Sequence, residues 1–300
     1  NKAAHACGHD LHAAMLLGAA KMLKENESSL QGTVKLVFQP GEEIFQGSKA
    51  LIKEGILESP TVDAALAYHV GPGKMPIGLH MYNDENTMMY SNDGFKIIVH
   101  GKGSHGAYPH NSIDPIHIAV QIYLGLEEII AREVNSSRPC VMTIGKLSAG
   151  DANNIIPETA EIQGSIRTTS VENREIMVSR MKEVATKIAE VYRGTAEVEM
   201  ISEVPPLICN KEFTKEILSY MSELDIPGQM GIPGIQASAS DDFSVILNKV
   251  PGTYMFLSAG YPEKYVAPSH NPKVIFNEDV LTIGAAYLAH CATRWLENNK

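Results

Sequence analysis

The 300-residue chain has few aromatic residues and no long apolar run. Phe, Tyr and Trp make up 6% of it, and its apolar stretches are interrupted by Gly, His, Lys or Glu well before they could span a bilayer. A transmembrane helix, and with it a membrane partner, is not expected. Cations are also scarce, because 25 Lys and Arg stand against 35 Asp and Glu, a formal net charge of −10. Since phosphate binding depends on clustered cations, we do not expect nucleic acid as a partner.

Cysteine is scarce as well, and the spacing of the four cysteines argues against a disulfide-rich secreted domain. There is no CxxC pair, although the spacing alone leaves two disulfides possible. The first residues, NKAAHACGHD, are polar and histidine-rich, unlike a signal peptide. A reducing compartment fits best, so we predict a cytoplasmic location.

The length suggests two domains, and the pattern of apolar residues changes twice along the chain. Residues 1–93 alternate helices and strands, with strands predicted at 33–39 and 63–70, which favours an α/β domain with a largely parallel sheet. Residues 94–202 follow the order β-α-β-β-α-β of a ferredoxin-like unit with its own core. Residues 203–300 return to mixed α/β. We therefore predict an α/β fold in which the middle segment is inserted into the first domain.

The first candidate site is the segment His5-Ala-Cys7-Gly-His9-Asp10-Leu-His12. If this segment is extended, Cys7 and His9 lie on one face, two positions apart. A thiolate and an imidazole are good ligands for a borderline-soft divalent metal. The alternative is a helix N-terminus that is merely rich in histidine, and the clustering favours the metal.

Three further segments place metal-binding residue types at the ends of predicted strands or in loops. Glu42 and Glu43 follow the first strand, and two adjacent carboxylates repel each other unless one binds a cation or a proton. His69 ends the second strand, and His270 lies in the turn-rich segment PSHNP. Taken singly, they could be a solvated acidic turn and two structural histidines. Together they provide enough donors for two metal ions that share a bridging group.

The motifs HACGHDLHAA, QPGEE and PSHNP, with the isolated His69, resemble those of the M20 metallopeptidase family in its amidohydrolase branch. That branch includes hippurate hydrolases, N-acetylamino-acid deacetylases and auxin-conjugate hydrolases. The resemblance covers essentially the whole chain. It implies that Glu42 is the general base and that two divalent ions (Zn, Mn, Co or Ni) are bound by Cys7, His9, Glu43, His69 and His270.

The resemblance also implies a metal-dependent exopeptidase-type catalytic domain, formed by residues 1–93 and 203–300. The inserted βαββαβ unit at 94–202 would then be a lid and dimerisation domain, so that the chain forms a homodimer. Family members carry several elements ahead of the HACGHD-like motif. We therefore expect N-terminal elements of the catalytic domain to be missing from 1–93.

The resemblance assigns roles to residues of the lid as well. His105, in GKGSHGAYPH, would polarise the scissile carbonyl, often in the active site of the partner subunit. Asn154 and Arg167 would hold the α-carboxylate of the substrate, a task that suits the planar guanidinium. A loop histidine and a surface-paired strand arginine are the alternatives. In Ser240-Asp241-Asp242-Phe243, Asp241 is one methylene shorter than the glutamate of the family's Ser-Glu-Asp-Phe segment.

These features predict a metallo-amidohydrolase that cleaves the amide bond of N-acyl amino acids with a metal-activated water and a glutamate base. A dipeptidase or carboxypeptidase using the same metals is the alternative within the family. A non-catalytic member that binds amino-acid conjugates is the alternative outside the enzymes.

Overall fold

The computed structural model of the chain describes residues 4–264 and 267–299 and has the mixed α/β fold that the sequence predicts. Its α-helices are α1 (His9–Glu25), α2 (Gly47–Lys53), α3 (Pro115–Glu128), α4 (Val171–Val191), α5 (Lys211–Met221), α6 (Phe243–Leu247) and α7 (Val280–Asn298). Its strands are β1 (Ala65–Gly71), β2 (Leu79–Met81), β3 (Thr87–Met89), β4 (Asp93–His100), β5 (Ser104–His105), β6 (Cys140–Ala149), β7 (Ile155–Ile156), β8 (Thr159–Thr168), β9 (Thr195–Met200), β10 (Leu207–Ile208), β11 (Met230–Ile232) and β12 (Gly252–Ser258). Within these ranges, no helix combines the length and the apolar character needed to cross a membrane.

The first sheet has the strand order β1-β12-β2-β11 and carries the predicted site at one end of β1. Strands β1 and β12 are parallel along their whole length, whereas β12 and β2 are antiparallel. The sheet is therefore mixed rather than largely parallel. Buried apolar side chains of α1, α5 and α7 pack on it, among them Met15, Ile217 and Tyr287. This packing fixes the position of β1, although β1 is an edge strand.

The second sheet is antiparallel with the order β6-β8-β4-β9, and α3 and α4 cover it. Its elements follow the predicted order β-α-β-β-α-β. Ser170 caps α4, because its hydroxyl accepts a hydrogen bond from the Asn173 amide at 3.2 Å. The core between this sheet and its helices is separate from that of the first sheet.

The two chain segments that connect the sheets are hydrogen-bonded to each other. Asn92 and Val204 exchange two backbone hydrogen bonds of 2.9 and 3.0 Å, and the Gly94 amide donates to the Ser202 hydroxyl at 2.9 Å. Beside them, the fully buried Asp93 carboxylate accepts two hydrogen bonds from Arg174, at 2.6 and 2.8 Å. Further hydrogen bonds of Thr168 and Thr169 to Ser91 and Thr87 strengthen this junction between the second sheet and the rest of the chain.

One predicted strand is wrong. Residues 33–39 form no strand in the described parts of the chain, because their backbone pairs with no other strand there. The Lys35 ammonium fixes the segment instead, donating to the carbonyl oxygens of Ile56, Glu58 and Pro60 at 2.7, 2.8 and 3.0 Å. The alternating apolar pattern indicates a half-buried extended segment, but a β-strand also requires an adjacent strand for its backbone hydrogen bonds.

Candidate metal centre

Cys7 and His9 lie on either side of a left-handed turn at Gly8, which immediately precedes α1. Gly8 has a φ of 85°, and a Cβ at this position would lie 2.5 Å from a Val70 methyl carbon. Only glycine fits this approach without displacing β1. The predicted extended conformation is therefore replaced by a turn, and this turn directs Cys7 and His9 towards the end of β1.

His69 presents one ring nitrogen to Cys7. Its Nε2 lies 3.3 Å from Cys7 Sγ, while its Nδ1 lies 2.7 Å from the carbonyl oxygen of Val70. A carbonyl can only accept, so Nδ1 carries the proton and Nε2 keeps its lone pair. Burial lowers the pKa of His69 to about 4, although the bond to Val70 opposes this shift. The imidazole is therefore neutral near pH 7 and suited to bind a cation.

The two glutamates lie in a single 3₁₀ turn, Glu42–Ile44, opposite two histidines. His9 Nε2 is 3.5 Å from a Glu42 oxygen and 3.9 Å from a Glu43 oxygen, and His270 Nε2 is 3.4 Å from the same Glu43 oxygen. The backbone of His270 is left-handed, with a φ of 65°, and its amide donates to the Ala6 carbonyl at 2.8 Å. This bond ties the turn of His270 to the segment that leads into Cys7.

The donor atoms fall into overlapping groups, each with all its atoms within 4.8 Å of one another. One group is Cys7, His9 and His69, and another is Cys7, Glu43 and His270. Cys7 belongs to both. Thiolate, imidazole and carboxylate together suit a borderline divalent transition metal, and two such groups with a common sulfur can hold two ions. The five side chains that the sequence nominates as ligands thus lie together.

The electrostatics of these residues also fit bound cations. Burial, assisted by the charges of Glu43 and Glu42, raises the pKa of the Cys7 thiol to about 12. Burial also raises the pKa of Glu42 to about 8, and the neighbouring charges of Asp241, Glu43 and Asp242 add to this shift. The charges that act on these two groups are thus negative. Divalent cations at this place would compensate them and favour the thiolate and the carboxylates.

The centre is open on one side and closed on the other. The side chains of His270 and Glu43 are 64% and 52% exposed, whereas that of Glu42 is 21% exposed. The opposite wall is formed by His69, whose ring packs against Phe256 and His12. A small molecule can therefore approach from the side of Glu43 and His270, with Glu42 lying deeper.

His12 is a residue of the site to which the sequence analysis assigns no role. Its Nε2 accepts a hydrogen bond from the Val70 amide at 2.9 Å, and its ring centroid is 4.5 Å from that of His69. Burial lowers the pKa of His12 to about 2, so the ring is neutral. The sequence contains one sign of this role, because His12 follows His9 by three residues and two helical residues at that spacing lie on the same face of α1. The bond satisfies an amide on the open side of β1 and fixes the strand end that carries His69.

Asp241 is a second such residue. Its carboxylate accepts hydrogen bonds from the Tyr254 hydroxyl and the Phe243 amide, both at 2.8 Å, and it lies within 4.8 Å of Glu42 and Asp242. Burial raises the pKa of Asp241. The sequence marks the segment by its resemblance to Ser-Glu-Asp-Phe, but it does not reveal the contact between Asp241 and Tyr254.

The three site residues predicted in the lid, His105, Asn154 and Arg167, lie outside the group of candidate metal ligands. His105 and Asn154 are exposed and adjacent, since β5 pairs with β7 and the Gly106 amide donates to the Asn154 carbonyl at 2.7 Å. In the described ranges, neither of them contacts the five candidate metal ligands. Arg167 is nearer, because its guanidinium donates to the Ser240 hydroxyl at 3.0 Å, next to Asp241.

The chain is similar in sequence to several known hydrolases. The sequence pattern of peptidase family M20/M25/M40 matches residues 1–294. Thermostable carboxypeptidase 1 of Saccharolobus solfataricus is 36% identical over 99% of this chain and 74% of its own length. N-acetylcysteine deacetylase of Bacillus subtilis is 33% identical over 99% of this chain and 75% of its own. Among solved structures, a dinuclear metal-binding peptidase of the M20 family from Bacillus subtilis has a TM-score of 0.78 at 30% identity, covering 98% of this chain and 73% of its own.

Replacing Cys7 with alanine removes the donor common to both groups. We expect the purified protein to hold about two divalent ions per chain and the Cys7→Ala variant to hold fewer than one, because two-metal sites depend on a bridging ligand. Elemental analysis after dialysis against metal-free buffer measures this. Cys140→Ala, a change to a half-buried cysteine on β6, is the matched control and keeps its metal. Unchanged metal content in Cys7→Ala would contradict the assignment.

Proposed function

The chain belongs to peptidase family M20/M25/M40, and we propose that it hydrolyses the amide bond of N-acyl amino acids, releasing a carboxylate and a free amino acid. As a member of this family, it is a metal-dependent hydrolase. The observation that carries the proposal is the group of Cys7, His9, Glu43, His69 and His270 around one opening, with Glu42 beside it. N-acetylcysteine deacetylase, which matches nearly the whole chain, supports an acyl amino acid as the substrate.

In this proposal, two divalent ions would be held by two sets of donors that have Cys7 in common. His9 and His69 complete one set of ligands, and Glu43 and His270 complete the other. Zn, Mn, Co and Ni all accept this mixture of sulfur, nitrogen and oxygen. When bound, such ions make water more acidic and polarise the amide carbonyl.

Glu42 is the general base of the proposed reaction. It takes a proton from the attacking water and returns it to the nitrogen of the leaving amino acid, so that the carboxylate regains its charge after each turnover. Its position supports this role, because it lies beside His9 and is less exposed than Glu43. Glu42 also belongs to a further group with Asp241 and Asp242.

Arg167 binds the α-carboxylate of the substrate in this proposal, with Asn154 as a second contact. A guanidinium pairs with a carboxylate through two parallel hydrogen bonds, which fixes the orientation of the amide. The bond from Arg167 to Ser240 supports the role of Arg167, since it holds the guanidinium next to the segment of Asp241. A free carboxylate on the leaving amino acid is thus the feature expected of every substrate.

A carboxypeptidase is the second candidate, and one observation favours it. Thermostable carboxypeptidase 1 is 36% identical to this chain, slightly more than the deacetylase at 33%. Both reactions cleave an amide next to a free α-carboxylate, so the same base and the same arginine serve either. They differ in the acyl side, which is uncharged in an N-acyl amino acid and carries an ammonium group in a dipeptide.

A panel of N-acetyl amino acids, hippurate and dipeptides tests the proposed function directly. We expect the metal-loaded protein to release amino acids from the acylated compounds. Glu42→Gln should keep its metal and lose about two to four orders of magnitude in kcat, the usual contribution of general acid–base catalysis. Amino-acid release is measured by ninhydrin or chromatography, and metal content is measured on the same samples.

Two results would overturn parts of this proposal. Cleavage of dipeptides in preference to the acylated compounds would replace the deacylase by the carboxypeptidase. Retained activity in Glu42→Gln would remove Glu42 from its role as the base.

We also propose the domain division 1–93, 94–202 and 203–300, with the middle part acting as lid and dimerisation domain. The hinge of this proposal lies where the two connecting segments meet, at Asn92 and Val204. On α3, Ile116, Val120 and Leu124 are 39%, 42% and 57% exposed at a spacing of four residues. An apolar helix face of this kind supports a contact with a second copy of the chain.

If His105 works in the active site of the partner, two inactive variants restore activity when mixed. In a mixed dimer of Glu42→Gln and His105→Ala chains, one site keeps both an intact base and an intact histidine. Random mixing gives about half mixed dimers with one working site each, hence about a quarter of wild-type kcat. Unfolding and refolding the variants together, followed by an activity assay, measures this. No recovery in a mixture that contains mixed dimers would contradict the proposal.

A further inference from the structure

One buried carboxylate joins both ends of the loop that carries Glu42 and Glu43. Asp242 is fully buried at the start of α6. One of its oxygens accepts a hydrogen bond from Gln39 Nε2 at 2.6 Å, and the other accepts from the Ser48 amide at 2.9 Å. Gln39 is the last residue before the loop and Ser48 the first residue after Gly47, where α2 begins. A single side chain, about two hundred residues away in sequence, thus holds both ends of the loop.

The ends of the loop are also in direct contact with each other. The Ser48 hydroxyl donates to Gln39 Oε1 at 2.6 Å, which completes a ring of three hydrogen bonds among Gln39, Ser48 and Asp242. A Cβ on Gly47 would lie 2.0 Å from the Pro40 carbonyl oxygen, so glycine is needed for the two ends of the loop to lie this close together. We call the residues that hold the two ends together the neck: Gln39, Pro40, Gly47, Ser48 and Asp242.

The catalytic carboxylates depend on the neck for their position. Glu42 and Glu43 contact His9 and His270 at 3.4 to 3.9 Å, which is longer than a hydrogen bond. Inside the loop, the Phe45 amide donates to the Glu42 carbonyl at 2.7 Å, so the turn is stiff once its ends are fixed. The backbone of the loop therefore sets the position of Glu42, while Glu43 also contacts the Cys7 thiol.

We propose that Asp242 is a positioning residue, which closes the neck and thereby places Glu42 and Glu43 for catalysis and metal binding. Asp242 does not act on the substrate, because it is fully buried and its two oxygens bond to Gln39 and Ser48. The proposal rests on the proposed function for the roles of Glu42 and Glu43. The closure of the loop itself can be tested without a substrate.

The first test is Asp242→Asn, in which one acceptor oxygen replaces two. The amide nitrogen of the new side chain would face a donor, so one side of the neck opens. We expect kcat to fall about 100-fold with little change in KM, because a displacement of about 1 Å at the base costs roughly that much. Amide hydrogen exchange at Phe45, Gln46 and Ser48, measured by mass spectrometry on the metal-free protein, should become faster.

A second variant restores the pairing by exchanging the groups. In Gln39→Glu with Asp242→Asn, the new amide donates to the new carboxylate and still accepts from the Ser48 amide, while the Ser48 hydroxyl also donates to that carboxylate. We expect the double variant to recover most of the lost kcat and slow exchange in the loop. Ser48→Ala, which removes one bond of the ring, keeps the test decisive if Asp242→Asn does not fold, and should show a smaller effect of the same kind.

The matched control is Asn173→Asp on α4. Asn173 is equally buried and also holds a loop, through bonds to the Asn135 amide and carbonyl at 3.1 Å, but it lies with the second sheet. This control should lower the melting temperature without changing kcat or exchange at Phe45. Unchanged exchange and kcat in both Asp242→Asn and Ser48→Ala would overturn the proposal. A wild-type protein without hydrolase activity would instead contradict the proposed function, while the exchange data would still decide the role of Asp242.

Discussion

Repulsion among the acidic groups around Cys7 is the constraint on which the rest of the site depends. Burial and the charges of Glu43, Glu42 and Asp241 raise the pKa of this thiol to about 12, so that it stays protonated far above neutral pH. A group of neighbouring carboxylates is costly unless cations neutralise it, and the neutral imidazole of His69 supplies a lone pair rather than charge. Metal binding therefore explains why so many acids are gathered at one opening, and it ties the stability of this region to the metal.

The fold keeps the candidate ligands together by fixing the short backbone segments that carry them. Gly8 turns the chain so that Cys7 reaches the end of β1, and His12 holds that strand end through the Val70 amide. On the other side, Asp242 closes the loop of Glu42 and Glu43. Each donor thus comes from a backbone position that a neighbouring polar group or a close contact determines, which is how a site keeps its geometry before a ligand arrives.

The sequence predicted most elements of the fold and the five candidate metal ligands. It did not predict the residues that hold these ligands in position. Cys7, Glu43 and His69 could be nominated because metal-binding residue types at strand ends are unusual, and the structure brings them together. The role proposed for Asp242 could not be predicted from the sequence, because its hydrogen bonds to Gln39 and Ser48 connect positions about two hundred residues apart and leave no local pattern. Residues 33–39 show the converse, because a strand-like pattern was present while the partner strand was not.

Under the proposed function, two metal ions would share the Cys7 sulfur. Anomalous X-ray diffraction from crystals of the metal-loaded protein, collected at the absorption edge of the bound metal, tests it most directly. We expect two peaks, both at a bonding distance of about 2.3 Å from the Cys7 sulfur, one near His69 and the other near Glu43 and His270. A single peak, or two peaks of which one lies away from Cys7, would contradict it.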